Sequence, residues 1–228
     1  RFGIKANLDE FVAVSSNKLP IPVRFLRAAQ FFVASRAERV IVPSNYLRRI
    51  IVAWGIPPEK ITVVYNAFGD LPRIPSRGEL RKSFGFSGVA LLSAGRLVPW
   101  KGFALLIGLM PEMVKRHPDC KLYIAGSGPL AHELKDQITA THLDDVVTLL
   151  GDVPHLELMK YKRAADCFVL NTGYEGFSHH LLEALAMGIP VITTAVGGNT
   201  ELIQHNTTGM LVGYNDGVAF EQAIEEVL

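Results

Sequence analysis

From Asp166 to Glu201 the chain reads as an apolar run, a glycine turn, an apolar-periodic helix, a second apolar run and a second glycine turn. The runs are Asp166-Cys-Phe-Val-Leu170 and Val191-Ile-Thr-Thr194; Gly188 and Pro190 stop the helix between them, and Gly197-Gly198 closes the unit. Such a unit is a parallel α/β crossover, in which a helix carries the chain back to the same edge of a sheet. Glu175 lies in the first turn and Glu183 in the helix, so two acids fall at the edge where ligands bind.

The same alternation extends over most of the chain. Apolar runs predict strands at 89–94, 121–125, 146–150, 166–170, 190–194 and 210–213, with helices at 102–116, 130–140, 155–164, 178–187, 199–204 and 217–228. The strand runs are continuous rather than alternating, as expected where both sheet faces are covered. The fold class is therefore a doubly wound parallel α/β sheet, Rossmann-like. Upstream, residues 1–35 read as helical and amphipathic, with Lys18, Arg24 and Arg27 among Phe25, Leu26, Phe31 and Phe32. A core-facing helix with a solvated basic side is the ordinary reading of that pattern, a membrane-surface face the rarer one. Strands follow at 39–43 and 61–65, with Ser44-Asn45 offering an N-cap to a helix through Trp54. Between Phe68 and Gly88, two prolines and four glycines surround one short polar helix near 77–84, which marks a domain boundary.

Composition excludes several function classes. Twenty-three basic residues face 22 acidic ones, for a net charge of +1, so a nucleic-acid partner is not expected. Cys120 and Cys167 sit in or beside apolar runs and read as reduced core thiols. No apolar run approaches the ~18 residues of a membrane span. The chain opens on Arg1 rather than Met and is expected to be a fragment.

In a doubly wound sheet the ligand lies beyond the carboxyl ends of the strands. The first such loop, Ser93-Ala-Gly-Arg-Leu-Val-Pro-Trp-Lys-Gly102, places Arg96 and Lys101 around a proline turn before a helix, which is an arrangement for an anion. The second holds Gly126, Gly128 and Ala131, formally a dinucleotide fingerprint but not in the first strand–helix unit of its domain, where that fingerprint belongs. Pro129 reads as the first residue of the following helix. In the third, Gly176, Phe177 and Ser178 stand where a helix begins, so their amides favour an anion. Glu175 precedes that positive end. Glu183 is flanked by Leu181, Leu182, Ala184 and Leu185, so its carboxylate is part-buried and needs a partner. Carboxylates accept from vicinal hydroxyls, which makes a sugar or ribose the natural ligand of each glutamate. Of His179 and His180, pointing about 100° apart on a helix, one is expected to face the pocket and the other to be structural. With no Asp-x-Asp, His-x-x-x-His or Cys-x-x-Cys in the chain, no metal site is expected.

Taken together, Gly95-Arg96…Lys101-Gly102, Gly126-Ser-Gly-Pro129, and Glu175-x7-Glu183 followed by Gly188-x-Pro190-Val-Ile and Gly197-Gly198…Glu201 resemble the retaining glycosyltransferases of family 4 and their GT-B fold relatives. The resemblance runs from about Val40 to the end. It implies the C-terminal half of a two-domain architecture: residues 1–67 as the remnant of an N-terminal acceptor domain, 68–88 as a linker and 89–228 as the donor domain. It further implies transfer of a hexosyl group, with retention and without a metal or other cofactor, from a UDP- or GDP-sugar to a glycan or lipid-linked acceptor that the rest of the N-terminal domain holds. Gly95, Arg96 and Lys101 would take the diphosphate, with Arg96, Lys101 and Glu175 catalytic. Glu175 would meet sugar hydroxyls, the amides of Gly176, Phe177 and Ser178 sugar and phosphate, and Glu183, beside Leu182, the ribose. Gly126 and the loop Gly151-Asp152-Val153 would complete the nucleotide site. The expected location is cytoplasmic, with peripheral membrane contact open to the full-length protein. The family often reads Glu-Gly-Phe-Gly where this chain has Ser178 and then His179, which alters the sugar pocket. The fragment is expected to bind donor and transfer nothing alone. Epimerase, phosphorylase, non-catalytic nucleotide-sugar module and NAD-dependent dehydrogenase are the alternatives.

Overall fold

The computed structural model describes residues 21–69 and 72–228, with side chains from Phe25 onward. The chain divides into two compact units, Arg1–Asn66 and Ala67–Leu228. In the first, helix α1 (Ile21–Arg36), strand β1 (Val40–Val42), helix α2 (Asn45–Ala53) and strand β2 (Ile61–Val63) surround a small core of Ala34, Val42, Ile51, Ile56 and Ile61. β1 and β2 pair in parallel, Val40 opposite Ile61. The expected cap is present: the Leu47 amide donates to Ser44 Oγ at 3.1 Å. The helix expected over 1–35 is seen from Ile21; residues 1–20 lie outside the described ones.

The second unit opens with helix α3 (Arg77–Phe84), stabilised by a capping box between Ser76 and Glu79 and ended by Gly85 in the left-handed region. Then come β3 (Ala90–Ala94), α4 (Phe103–Arg116), β4 (Lys121–Ala125), α5 (Ala131–Ala140), β5 (Val147–Gly151), α6 (His155–Ala164), β6 (Cys167–Leu170), α7 (His179–Ala186), β7 (Val191–Thr194), α8 (Asn199–Leu202), β8 (Met210–Val212) and α9 (Gly217–Val227). The six strands form one parallel sheet in the order β5-β4-β3-β6-β7-β8. This is the α/β, Rossmann-like sheet that the sequence predicts.

Successive strand residues feed opposite layers. Leu91, Ile124 and Val169 pack with Phe103, Met110, Ile138 and Phe220 of α4, α5 and α9. Leu92, Ala125, Phe168 and Leu170 pack with Leu158, Met159, Leu181 and Ala184 of α6 and α7. Every residue of β3, β6 and β7 is buried, which is why those strands read as unbroken apolar runs. α3 is fastened to this unit by charge. Arg77 and Arg81 both pair with Asp166, whose Oδ2 also accepts from the Ala90 amide at 2.8 Å, and Phe84 stacks on Tyr161 with ring centroids 4.2 Å apart. Part of the stretch expected as a linker is thereby integral to the second unit.

Two helix starts differ from expectation. α5 begins at Ala131, not at Pro129, because the Leu130 amide is drawn outward to the Leu97 carbonyl (3.1 Å). α7 begins at His179, because Ser178 is extended (φ −74°, ψ 117°) and its Oγ caps the Leu181 amide at 3.4 Å. Among the described residues, no helix is long and apolar enough to cross a membrane.

Candidate functional site

In the sheet order, β3 and β6 are neighbours whose onward connections run in opposite directions, β3 toward β4 and β6 toward β7. The crevice beyond their carboxyl ends is the topological switch point. A cavity of about 530 Å³ opens there, lined by Ala94 and Ala125 at the strand ends, by Gly95, Arg96, Gly126, Ser127 and Gly128, by Asp152 and Val153 beyond β5, and by Leu158 and His180.

The floor is made of two loops stitched to each other. The Gly95 amide donates to the Ala125 carbonyl (3.0 Å), the Leu97 amide to the Ser127 carbonyl (2.8 Å), and the Gly126 amide to the Gly151 carbonyl (2.7 Å). At Gly126 (φ 134°) a Cβ would stand 2.0 Å from the Gly95 carbonyl oxygen. The glycines of Gly126-x-Gly128 thus serve a close approach of backbone to backbone, and their resemblance to a dinucleotide fingerprint follows from that packing.

Arg96 is exposed and lines the cavity, and its side chain has no hydrogen-bond or ion-pair partner among the described residues. Lys101 ends a short 3-10 turn, Pro99–Lys101, and its stem passes 3.8 Å from the point where a Gly95 Cβ would be. Its Nζ meets Glu175 Oε2 at 2.6 Å, with both side chains more than four-fifths buried. Each is held from behind. Asn171 Nδ2 donates to the Gly102 carbonyl (3.0 Å) and the Gly173 amide to the Trp100 carbonyl (2.7 Å), which fixes the lysine loop. The Glu175 carbonyl accepts from the Gly198 amide (2.9 Å), and Gly197 passes so near it that a Cβ would lie 1.9 Å from that oxygen. The two glycine turns of the opening motif therefore meet at Glu175.

Glu183 is buried and fully partnered. Its Oε2 pairs with Lys162 Nζ, and its Oε1 meets His155 Nε2 at 2.9 Å. Burial pushes its carboxyl up, but His180, Lys162 and His155 together outweigh that and hold it below the usual carboxylate range. Burial draws the Lys162 ammonium down, opposed by Glu183. His180 is also drawn down by burial, with Glu183 raising it and the charges of Lys162 and Lys101 adding to the fall.

Of the residues expected from sequence, Gly95, Arg96, Gly126 and Val153 line the cavity, and Lys101 and Glu175 form an ion pair beside it. Gly151 contributes a carbonyl to the floor. Leu182 and Glu183 are not in the cavity lining, and Phe177 is buried. The free amides at the start of α7 run from Ser178 through His180 rather than from Gly176 through Ser178, since the helix opens one residue later and Ser178 is its cap. Of the two histidines, His180 lines the cavity and His179 is exposed. Lys162 was not foreseen. In sequence it belongs to a basic run, Lys160-Tyr-Lys-Arg163, yet it follows Leu158 and Met159 at helical spacing, which puts it on the core-facing stripe.

A switch-point cavity with fixed cations defines a Rossmann-like nucleotide-ligand domain of GT-B type, and the comparisons agree. The family model of glycosyl transferases group 1 matches residues 77–228, and that of glycosyltransferase family 4 matches residues 10–68. The chain belongs to the group 1 glycosyl transferases, which removes the dehydrogenase alternative. It is 30% identical over 211 residues to an uncharacterized glycosyltransferase of Methanocaldococcus jannaschii, covering 89% of this chain and 54% of that protein. It is 31% identical over 181 residues to the GPI3 subunit of the phosphatidylinositol N-acetylglucosaminyltransferase of Saccharomyces cerevisiae, covering 78% and 40%. Among solved structures, HepE of Anabaena, in complex with UDP and glucose, superimposes with a TM-score of 0.78 at 25% identity, over 89% of this chain and 57% of that one. The chain spans about half the length of the curated relatives it matches.

Proposed function

We propose that the second unit is the donor-binding domain of a glycosyltransferase that moves a hexosyl group from a UDP- or GDP-sugar to a glycan or lipid-linked acceptor, with retention and without a metal. The observation that carries the reading is the switch-point cavity lined by the unpaired Arg96 side chain, with the Lys101–Glu175 pair beside it. Breaking a glycosyl–phosphate bond leaves negative charge on the diphosphate. Arg96 and the amides at the start of α7 supply positive potential beside the cavity, and Lys101 would add to it once the diphosphate draws its ammonium from Glu175, which is how charge placed at the leaving group lowers such a barrier. Glu175 is set against Lys101, so a sugar arriving there meets a carboxylate while its phosphate meets the ammonium.

Asp152 and Val153 would lie along the base, and Glu183 at the ribose. HepE supports the nucleotide class, having been solved with UDP. The lipid-linked acceptor class is supported by the yeast relative, a subunit of a phosphatidylinositol N-acetylglucosaminyltransferase. Since the chain spans about half of such relatives, it would bind donor without transferring it.

The test is a thermal-shift panel of UDP, GDP, ADP and their sugars, with and without EDTA. Saturation at 100 times Kd adds about 2.7 kcal/mol of apparent stability. A shift with UDP or GDP that EDTA leaves unchanged is the expected result. No shift with any nucleotide sinks the donor site, and a shift abolished by EDTA sinks metal independence. Robust transfer by this chain alone, with a defined acceptor, would refute the division of labour.

A further inference from the structure

Lys162 has a fully buried side chain, and its ammonium lies among three polar atoms. One is Glu183 Oε2; the others are His180 Nδ1 and the His180 carbonyl, each at 3.4 Å. An ammonium carries three donors and no acceptor. A neutral imidazole has one N–H and one lone pair, on different edges of the ring, so a nitrogen that faces an ammonium must be the one with the lone pair. Glu183 Oε2 is the competing neighbour of Nδ1, and at 3.8 Å it stands farther from it than the ammonium does at 3.4 Å. The remaining edge of His180 belongs to a side chain that lines the switch-point cavity.

We propose that Lys162 fixes His180 as the Nε2–H tautomer, so that His180 donates a hydrogen bond into the cavity to an oxygen of the nucleotide-sugar donor. This rests on the donor-site reading above and adds to it a residue that selects an acceptor-rich ligand. His180 touches the ligand; Lys162 is a positioning residue, acting through His180 and through the Glu183 carboxylate it holds. The imidazole is suited to the part. Burial and the charges of Lys162 and Lys101 lower its tendency to protonate, against the opposing pull of Glu183, which favours the neutral ring in which the tautomer matters. An uncharged donor beside Arg96 adds direction without adding charge.

Two measurements test this independently. Nitrogen-15 correlation spectra of the histidine rings report the tautomer directly and need no ligand. The expected wild-type signature for His180 is Nε2–H, lost in Lys162→Met/Glu183→Gln, a double variant that removes the ion pair without stranding either charge. A Nδ1–H signature in the wild type, or one unchanged in the double variant, overturns the proposal. For the ligand half, titration with whichever UDP- or GDP-sugar binds compares His180→Gln, whose amide can donate near the Nε2 position, with His180→Phe, which cannot donate. Binding about tenfold weaker for the phenylalanine variant, and within about threefold of wild type for the glutamine variant, is the expected result. Equal affinities for the two variants overturn it while leaving the donor site standing. If no nucleotide sugar binds the wild type, the donor-site reading falls and the ligand half of this proposal with it, whereas the tautomer result still decides the role of Lys162.

Discussion

Lys101 and Glu175 pair at 2.6 Å, so a diphosphate at this site would compete with a carboxylate for one ammonium. That arrangement predicts a selective defect. Lys101→Ala should weaken UDP or GDP about tenfold or more and the bare nucleoside less than about threefold, read by calorimetric titration; equal losses would remove the lysine from the phosphate. Glu183 makes a prediction in pH. Its carboxyl is held below the ordinary 4.5, so on acidification the unfolded chain takes up the proton first. The stabilisation is therefore complete above that ordinary value and lost as pH falls toward the lower folded one. Urea unfolding from about pH 6 to about pH 3 should show a shallower acid loss in Lys162→Met/Glu183→Gln than in the wild type. The same acid slope in both would mean that Glu183 does not carry it. The carboxylate's need for a partner was legible from its leucine neighbours. Its partner was not, since a lysine in a basic run looks solvated until the helix is laid on the sheet and position 162 falls on the same stripe as Leu158 and Met159.

Between elements, the decisive ties are few and specific. Asp166 joins α3 to the sheet through Arg77, Arg81 and the Ala90 amide, with Phe84 stacked on Tyr161 alongside. Asp166→Ala should lower stability by about 1–3 kcal/mol, because it removes the acceptor shared by Arg77, Arg81 and the part-buried Ala90 amide. It should also raise hydrogen exchange across Arg77–Phe84. Unchanged exchange there would show that the aromatic stack alone holds the helix. Gly126→Ala should cost about 1–3 kcal/mol by overpacking, since its Cβ would stand 2.0 Å from the Gly95 carbonyl; an alanine variant as stable as wild type contradicts the stitched-loop floor. All six strands of the sheet were readable in sequence because burial on both faces leaves continuous apolar runs. The starts of α5 and α7 were not. At α5 the Leu130 amide donates to the Leu97 carbonyl, a partner distant in sequence, and at α7 the Ser178 side chain caps the Leu181 amide, which moves the start by one residue. The stretch 68–88 was legible as irregular chain, but its attachment depends on Asp166, about 80 residues further on.

At the scale of the second unit, one parallel sheet delivers every feature of the site to the same edge. β3 ends at the Arg96 loop, β4 at the Gly126 loop, β5 at Asp152, and β6 leads to Glu175 and His180. Spacing pointed to the loops that follow the strands; only the strand order shows that the loops after β3 and β6 adjoin. The chain belongs to the group 1 glycosyl transferases and spans about half the length of the curated relatives it matches. The central claim is that this edge holds the diphosphate of a nucleotide sugar. A crystal structure of the protein with UDP or GDP bound tests it most directly. The account predicts the nucleotide in the 530 Å³ cavity, with its phosphates on Arg96 and Lys101 and its base against Asp152 and Val153. A nucleotide bound elsewhere, or with its phosphates away from both cations, would contradict it.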